Sequence, residues 1–302
     1  MSLTRKEFLK LSLKSAFIIG AGNSLQSFAG NESALPGVES VKLRFAVASD
    51  GHYGQSGTSY EFYHDRMVNF LNQEKAGRGL DFTMINGDLF HNDVRFLAES
   101  KKVWDQLQTP YYVSHGNHDQ TDEHTWEKTW GMPLNYSFEK DEASFIVLNT
   151  ANEQGVYTCP DAGWAKKELQ RFESRKFLFV FMHITPFKWT QGGINCPELT
   201  NLFDKQENLK MIFHGHDHDM DDFKKSKGKH YFFDSHIAGS WGTDYHGYRI
   251  VEILDDGNIL TYQMNPASRI QVNNKSINKV FPGSEFSSSA CRGLFLQFAH
   301  PA

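Results

Sequence analysis

The chain has 302 residues and a formal net charge of −5, and 39% of its residues are hydrophobic, including 25 Phe and 6 Trp. This length suits one large domain or two small ones, and the apolar content excludes disorder for most of the chain. The acidic balance disfavours extended nucleic-acid binding, because such binding needs many cations to neutralise phosphates.

The N-terminus has the pattern of an export signal. Arg5 and Lys6 precede an apolar run over residues 11–21, and Ser27-Phe28-Ala29 places small residues where signal peptidase cuts. We therefore expect residues 1–29 to be a signal peptide of the twin-arginine type, with Lys6 in place of the second arginine. The run is too short for a permanent membrane anchor. An ordinary amphipathic helix is the alternative interpretation.

A linker over residues 30–40 leads into alternating strands and helices. Apolar runs predict strands at 41–48, 82–85, 111–113, 144–148, 177–182 and 211–213, and helical spacing predicts helices at 60–72, 94–107 and 163–172. Later runs predict consecutive strands at 231–233, 248–253 and 259–264. This order is typical of an α/β domain, which we place at residues 41–265, followed by a C-terminal extension over 266–302.

Polar side chains follow five of the six early strands. Ligands of open α/β sheets bind beyond the carboxyl ends of the strands, so we expect these side chains to meet in one crevice. They are Asp50, His52, Asp88, Asn117, His183, His216 and His218. The two pairs at spacing i, i+2 would converge, because alternate residues of an extended segment lie on one side.

These seven side chains offer oxygen and nitrogen atoms and no sulfur. They exceed the four ligands of a tetrahedral zinc site and suit two divalent transition-metal ions, with Fe, Mn and Zn favoured. Two-metal sites hold their ions about 3.5–4 Å apart and clamp the attacking and leaving oxygens of a displacement. A central carboxylate is a natural bridge, because each of its oxygens can bind a different ion.

The ordered set DxH, GD, GNHD, H and GHxH, from Asp50 to His218, resembles the calcineurin-like metallophosphoesterase superfamily. The segment AGSWGTDYHGYRI, residues 238–250, is similar to the later part of secreted bacterial members. This resemblance implies an α/β fold in the form of a four-layer αββα sandwich with two mixed β-sheets. It also implies a dinuclear site at the carboxyl ends of the strands and a location in the periplasm or outside a bacterial cell.

The resemblance assigns a role to each residue of the motifs. The ligands of one metal would be Asp50, His52 and His218, those of the other would be Asn117, His183 and His216, and Asp88 would bridge the two. His118 would act on the substrate as the general acid. Many members carry an aspartate three residues after the bridging one, which orients the catalytic histidine. His91 stands at that position here, so the orienting role either passes to Asp93 or Asp119 or is absent.

The remaining candidate residues have structural interpretations. We expect the other histidines, among them His64, His91, His115, His124 and His246, to be structural, and His214 to end a strand. Core packing is the favoured interpretation of the aromatic residues that follow strand ends, which are Tyr53, Trp189 and Trp241. Buried free thiols are the favoured interpretation of Cys159 and Cys196, and a disulfide between them is the alternative in an exported protein.

The resemblance implies a phosphohydrolase that acts on phosphomonoesters or phosphodiesters. A hydroxide held between the metals would attack phosphorus, and His118 would protonate the departing alkoxide. A nuclease of the same superfamily and a non-catalytic metal-binding scaffold are the alternatives. We expect a small phosphoester substrate rather than nucleic acid, because the chain is acidic and has no basic run.

The N-terminal pattern predicts that residues 1–29 are removed during export. The positive charge at Arg5 and Lys6, the apolar run and the small residues of Ser27-Phe28-Ala29 all predict cleavage after Ala29. Mass determination of the N-terminus of protein from native cells should find residue 30 first. An intact N-terminus on protein from the cytosol would contradict the expectation.

Overall fold

The computed structural model describes residues 17–18, 26–27, 40–268 and 270–277. Contacts within the chain divide it into two units, residues 1–40 and 41–302. In the first unit, strand β1 (Phe17–Ile18) pairs antiparallel with strand β2 (Gln26–Ser27). Most of the predicted signal peptide and linker lies outside the described residues.

The second unit alternates strands and helices along most of its length. Its described strands are β3 (Val41–Ala48), β4 (Phe82–Asn86), β5 (Tyr111–Ser114), β6 (Tyr136–Lys140), β7 (Ala143–Leu148), β8 (Phe177–Met182), β9 (Leu209–His214), β10 (Phe223–Ser226), β11 (Lys229–Phe233), β12 (Tyr248–Leu254), β13 (Ile259–Asn265) and β14 (Ile270–Ile277). Its described helices are α1 (Tyr60–Arg78), a 3₁₀ turn at Val94–Phe96, α2 (Leu97–Trp104), α3 (Glu123–Trp130), α4 (Ala162–Arg171) and α5 (Pro197–Lys205).

The twelve strands form two six-stranded mixed sheets. The first has the order β14-β13-β12-β3-β4-β5, in which β3, β4 and β5 are parallel and the other pairings are antiparallel. The second has the order β10-β11-β9-β8-β7-β6, in which β11, β9, β8 and β7 are parallel and the two edge strands are antiparallel. The parallel strands of each sheet therefore end at one edge.

Three apolar clusters give the second unit four layers. The central cluster lies between the sheets and stacks Phe45 of β3 against Phe82 of β4, with Phe145 of β7 edge-on to both. The outer face of the first sheet packs on α1, α2 and α3, where Trp104 and Trp126 are buried. The outer face of the second sheet packs on α4 and α5. The α/β fold with two mixed sheets predicted from the motifs is confirmed.

Several elements escape the sequence patterns. The helix predicted at 94–107 is a 3₁₀ turn followed by α2, and α3, α5, β6, β10 and β14 were not predicted. The start of α3 does carry a signal, because the side chain of Asp122 accepts a hydrogen bond from the Thr125 backbone amide. Strand β14 lies beyond residue 265, so the first sheet extends past the domain end expected from the sequence.

A disulfide joins Cys159, in the loop after β7, to Cys196, which immediately precedes α5. The favoured interpretation of both residues as free thiols was therefore wrong, and the alternative pairing is the one observed. Free cysteines are buried by default, but Cys159 is exposed and only Cys196 is buried. The bond ties together two loops that are 37 residues apart in sequence. Cys291 lies outside the described residues.

Across the residues that the structure describes, no helix is both long enough and apolar enough to cross a membrane.

The disulfide predicts a thiol count. The chain has three cysteines, so the unfolded but unreduced protein should react with one equivalent of a thiol reagent, and the reduced protein with three. Peptide mapping without reduction should recover the peptides of Cys159 and Cys196 as one linked species. Three reactive thiols before reduction, in protein prepared under oxidising conditions, would contradict the pairing.

Candidate metal centre

The seven predicted metal ligands lie in the loops that follow five parallel strands, namely β3, β4, β5, β8 and β9. Six of them are buried, and His216 is partly exposed. The structure brings the acidic and imidazole members together into two groups: Asp50, His52 and His218 form one, and Asp88, His183 and His216 form the other. The expected convergence at one edge of the fold is therefore present.

The first group is compact. His218 Nε2 lies 2.9 Å from His52 Nε2 and 3.1 Å from Asp50 Oδ1. His52 Nε2 lies 3.9 Å from Asp50 Oδ1. Three donor atoms at these separations surround a space in which a single cation can touch all of them.

Asp88 lies between the two groups. Its Oδ2 atom is 3.1 Å from His183 Nε2 of the second group and 3.6 Å from His52 Nε2 of the first. Its other oxygen, Oδ1, accepts a hydrogen bond of 2.8 Å from the His118 backbone amide. One carboxylate thus faces both groups, which is the geometry expected of a bridging ligand.

Hydrogen bonds to backbone carbonyl oxygens orient two imidazole rings of the site. His183 Nδ1 contacts the carbonyl oxygen of Asn86 at 2.8 Å, and His218 Nδ1 contacts that of Trp241 at 3.0 Å. A ring nitrogen that meets a carbonyl must carry a proton, so in the neutral form of each ring the lone pair is on Nε2, which faces the cluster. Metal ligands are oriented in the same way in other proteins.

The backbone at the site adopts an unusual conformation. Asp50, His52, Asp88 and His216 have positive φ angles of 60°, 46°, 52° and 67°. Each such residue costs about 1–2 kcal/mol relative to an ordinary conformation. Asp50 and His52 therefore converge through left-handed turns rather than through the extended segment that the i, i+2 spacing implied. Strain of this kind concentrates at functional sites.

Two glycines allow the strand-end loops to approach closely. A Cβ atom on Gly116 would collide with the Asp88 carboxylate, and one on Gly87 would collide with the His183 imidazole. Gly87 also has a φ of 88°, which favours glycine. The GD and GNHD motifs thus depend on their glycines to bring Asp88, His183 and Asn117 together.

The site has an excess of buried negative charge. Burial would raise the pKa of the Asp50 and Asp88 carboxyl groups, but the imidazoles of His218 and His183 outweigh burial and hold both pKa values below their ordinary range. Burial likewise lowers the pKa of His183, but Asp88 and Asp50 outweigh it and raise that pKa to about 10. Two buried carboxylates therefore require positive charge beside them.

The donor set fits divalent metal ions. Buried polar atoms normally have hydrogen-bond partners, yet the side-chain oxygen of Asn117 is buried and has none among the described residues. Asn117 follows Gly116, which lies against the Asp88 carboxylate, and an amide oxygen is a donor that a transition metal accepts. Divalent cations would also neutralise the two carboxylates and leave His183 Nε2 free to ligate.

The hydrogen-bond partner of His118 differs from the expected one. His118 Nδ1 lies 2.7 Å from the side-chain oxygen of Asn92, whose backbone amide also donates to the His118 carbonyl. Asp93 instead pairs with Arg95. Asp119 accepts hydrogen bonds from the backbone amides of Phe90 and Gly116 and so fixes the loop that carries Asn117 and His118.

Asn92 was missed because it lies four residues after Asp88 rather than three. Its φ of 59° turns its side chain toward His118, and no sequence pattern indicates that turn. His91, at the expected position, is not an isolated structural residue. Its Nδ1 lies 3.0 Å from His52 Nδ1, and its ring stacks on His118 with centroids 4.6 Å apart.

Several of the residues expected to be structural are buried or packed in apolar clusters, whereas Trp241 is not. His214 ends β9 as expected, and His64 and His115 are held by hydrogen bonds to the carbonyls of Tyr60 and Asp119. Tyr53 and Trp189 pack in apolar clusters, as expected for core residues. Trp241 does not, because 52% of its surface is exposed while its ring stacks on His218.

The sequence and the fold are both similar to those of known phosphoesterases. The sequence model of the family described as calcineurin-like phosphoesterase matches residues 43–220. The fold is similar to that of a dimetal phosphatase from Danio rerio, with a TM-score of 0.60 and 12% identity over 79% of this chain and 99% of that one. It is also similar to a purple acid phosphatase from yellow lupin (Lupinus luteus) seeds, with a TM-score of 0.60 and 12% identity over 80% of this chain and 54% of that one. No curated protein matches the chain.

The position of Asp88 predicts that it is the most sensitive ligand. The protein should bind two transition-metal ions per chain, and Asp88→Asn should lose the second ion and most of the turnover because this carboxylate faces both groups. Elemental analysis after mild dialysis, together with turnover of a model phosphoester, measures both effects.

The matched control is Asp93→Asn, five residues away, because Asp93 pairs with Arg95 at the surface. This variant should keep both ions. Retention of two ions and normal turnover in Asp88→Asn would show that the bridge is assigned to the wrong residue.

Proposed function

The chain belongs to the calcineurin-like phosphoesterase family, and we propose that it hydrolyses phosphomonoesters or phosphodiesters with two divalent transition-metal ions. The observation that carries the proposal is the position of Asp88 Oδ2, within 3.1 Å of His183 Nε2 and 3.6 Å of His52 Nε2. A carboxylate shared between two imidazole groups is suited to hold two ions side by side.

The proposed ligands divide between the ions as the motifs imply. One ion would be held by Asp50, His52 and His218, the other by Asn117, His183 and His216, with Asp88 common to both. When bound, the ions supply Lewis acidity, which lowers the pKa of bound water to about 7 and offsets the charge of the phosphoryl oxygens. Fe, Mn and Zn all accept such oxygen and nitrogen ligands.

Backbone hydrogen bonds support the proposed arrangement, because they hold both carboxylates in place. The His216 backbone amide donates one bifurcated hydrogen bond to Asp50, with both carboxylate oxygens 3.0 Å away, and the His118 backbone amide donates one to Asp88. These bonds cross between loops that are distant in sequence, so each carboxylate is fixed relative to the imidazoles beside it. Groups fixed in advance do not have to be reorganised during the reaction.

His118 is the proposed general acid. Its backbone amide is fixed to Asp88, and its Nδ1 atom is fixed to the side-chain oxygen of Asn92. Nδ1 therefore carries a proton, and Nε2 is the atom that can donate one to the departing alkoxide when the ring is protonated. An asparagine in this role orients the ring but adds no negative charge, unlike the aspartate of many family members.

We also propose that the protein is exported, with residues 1–29 as the signal peptide. The pairing of Cys159 with Cys196 supports this location, because disulfides persist in oxidising compartments such as the periplasm. The proposed substrate is a small phosphoester. The net charge of −5 argues against the nuclease alternative.

The role of His118 predicts a dependence on the leaving group. His118→Asn should keep both metal ions but lower turnover of an alkyl phosphate by about 10²–10⁴-fold, since an alkoxide needs a proton to depart. Hydrolysis of a nitrophenyl phosphate should fall far less, because its leaving group is stable without a proton. Steady-state rates on the two esters, with elemental analysis of the variant, test this.

The matched control is His124→Asn, a histidine on α3 that is not part of the site. An equal loss on both esters with both ions retained would make His118 an electrostatic stabiliser. Loss of an ion would make it a ligand.

A further inference from the structure

Two exposed aromatic side chains contact the candidate metal centre. Among the described residues, six large hydrophobic side chains are exposed: Val41, Phe62, Val94, Val156, Tyr157 and Trp241. The rings of Tyr157 and Trp241 each contact an imidazole of the proposed metal ligands, and Val156 is adjacent to Tyr157. A protein gains nothing in stability from exposing these rings, so their position beside the centre points to a ligand.

Trp241 is the outer end of a series of contacting rings. Its indole lies parallel to the His218 imidazole, with centroids 4.3 Å apart and 3° between the planes. His218 is followed by His236 at 5.2 Å, His236 by His246 at 4.6 Å, and His246 by Tyr63 at 3.6 Å. One face of the indole is therefore covered by His218. With 52% of the residue exposed, the other face is open to solvent.

The backbone also fixes Trp241. Its carbonyl oxygen accepts the hydrogen bond from His218 Nδ1, and the Thr243 amide donates to the His218 carbonyl. These bonds tie the Trp241 backbone to a proposed metal ligand, and the stacking on His218 positions the indole. Binding to a ring that is already in place costs little conformational entropy.

Tyr157 contacts the second group of ligands. Its ring meets the His216 imidazole edge to face, with centroids 5.0 Å apart and an angle of 87°, and 40% of the residue is exposed. A tight turn holds the preceding residues, because the Asn152 side chain accepts hydrogen bonds from the amides of Gln154 and Val156. The disulfide at Cys159 fixes the other side of the segment.

We propose that Trp241 and Tyr157 form a specificity subsite for a planar aromatic group on the alcohol portion of the phosphoester. The inference rests on the proposed function, since it identifies the substrate class of that same centre. An aromatic ring stacked on the open face of Trp241 would extend the existing series of rings by one member. The phosphoryl group would then lie at the metal ligands on which the two aromatic residues rest.

The chemistry of the rim supports an aromatic group rather than a flexible alkyl chain. A rigid indole offers a large flat surface, and aromatic rings stacked in parallel gain energy beyond the burial of their area. Stacking also tolerates different ring systems, because every planar ring offers a face. The subsite therefore selects a class of leaving group, an alcohol that carries an aryl or heteroaryl ring, rather than one compound.

Binding of phosphonates tests the inference without turnover. Benzylphosphonate and methylphosphonate are not hydrolysed and differ by one aromatic ring. We expect the protein loaded with Mn²⁺ to bind benzylphosphonate about 10-fold more tightly than methylphosphonate in titration calorimetry. Trp241→Ala should bring the ratio of the two Kd values close to one, Tyr157→Ala should reduce it, and Trp241→Phe should keep most of it.

The control is Phe62→Ala, which removes an exposed ring of α1 and should leave the ratio unchanged. Elemental analysis of Trp241→Ala shows whether His218 still holds its ion. If the ion is lost, the other two variants test the subsite: Trp241→Phe should keep most of the ratio of Kd values, and Tyr157→Ala should reduce it. A preference that survives in Trp241→Ala would overturn the inference.

Failure of the inference is distinct from failure of the proposed function. Equal affinity of the wild-type protein for the two phosphonates would remove the aromatic subsite and leave the phosphohydrolase proposal standing. No affinity for either phosphonate would contradict both the aromatic subsite and the proposed function. A preference for benzylphosphonate in a protein that hydrolyses no ester would retain the subsite and overturn the proposed reaction.

Discussion

The rest of the site depends on the burial of two carboxylates, Asp50 and Asp88, next to each other at the strand ends. Neither group is solvated, and ionised carboxylates in such surroundings are costly unless cations lie beside them. Imidazole groups surround both, and the raised pKa of His183 shows how strongly the pair attracts positive charge. The same demand makes this cluster a place for divalent metal ions. The closely approaching glycines and left-handed turns serve to bring the charges together.

Such an arrangement needs rigid support, which the two sheets supply. Phenylalanine rings of both sheets interlock between them, so the carboxyl ends of five parallel strands are held in fixed positions. The strain of left-handed residues such as Asp50 and Asp88 is offset by this packing and by backbone hydrogen bonds between the loops. The donor atoms therefore face one another because of the core, although the core contributes no donor itself.

Groups around the cluster adjust its chemistry. Asn92 orients His118 without adding charge, and His91 lies against both His118 and the ligand His52. On the solvent side, the rings of Trp241 and Tyr157 contact imidazoles of the proposed ligands, His218 and His216. The proposed substrate subsite and the proposed metal ligands would therefore share these contacts.

Apolar runs and polar motifs predicted most of the strands and the identity of the side chains that cluster at their ends. Buried strands are runs of apolar residues, and polar residues directly after them must lie at a sheet edge, so β3 and β8 were predicted at their observed bounds. The partner of His118, the pairing of Cys159 with Cys196 and the exposure of Trp241 became evident only in the folded chain. These features arise where loops distant in sequence meet, and their backbone turns have no local signature. Periodicity reports which face of an element is buried, whereas a contact between two loops depends on how the whole core positions them.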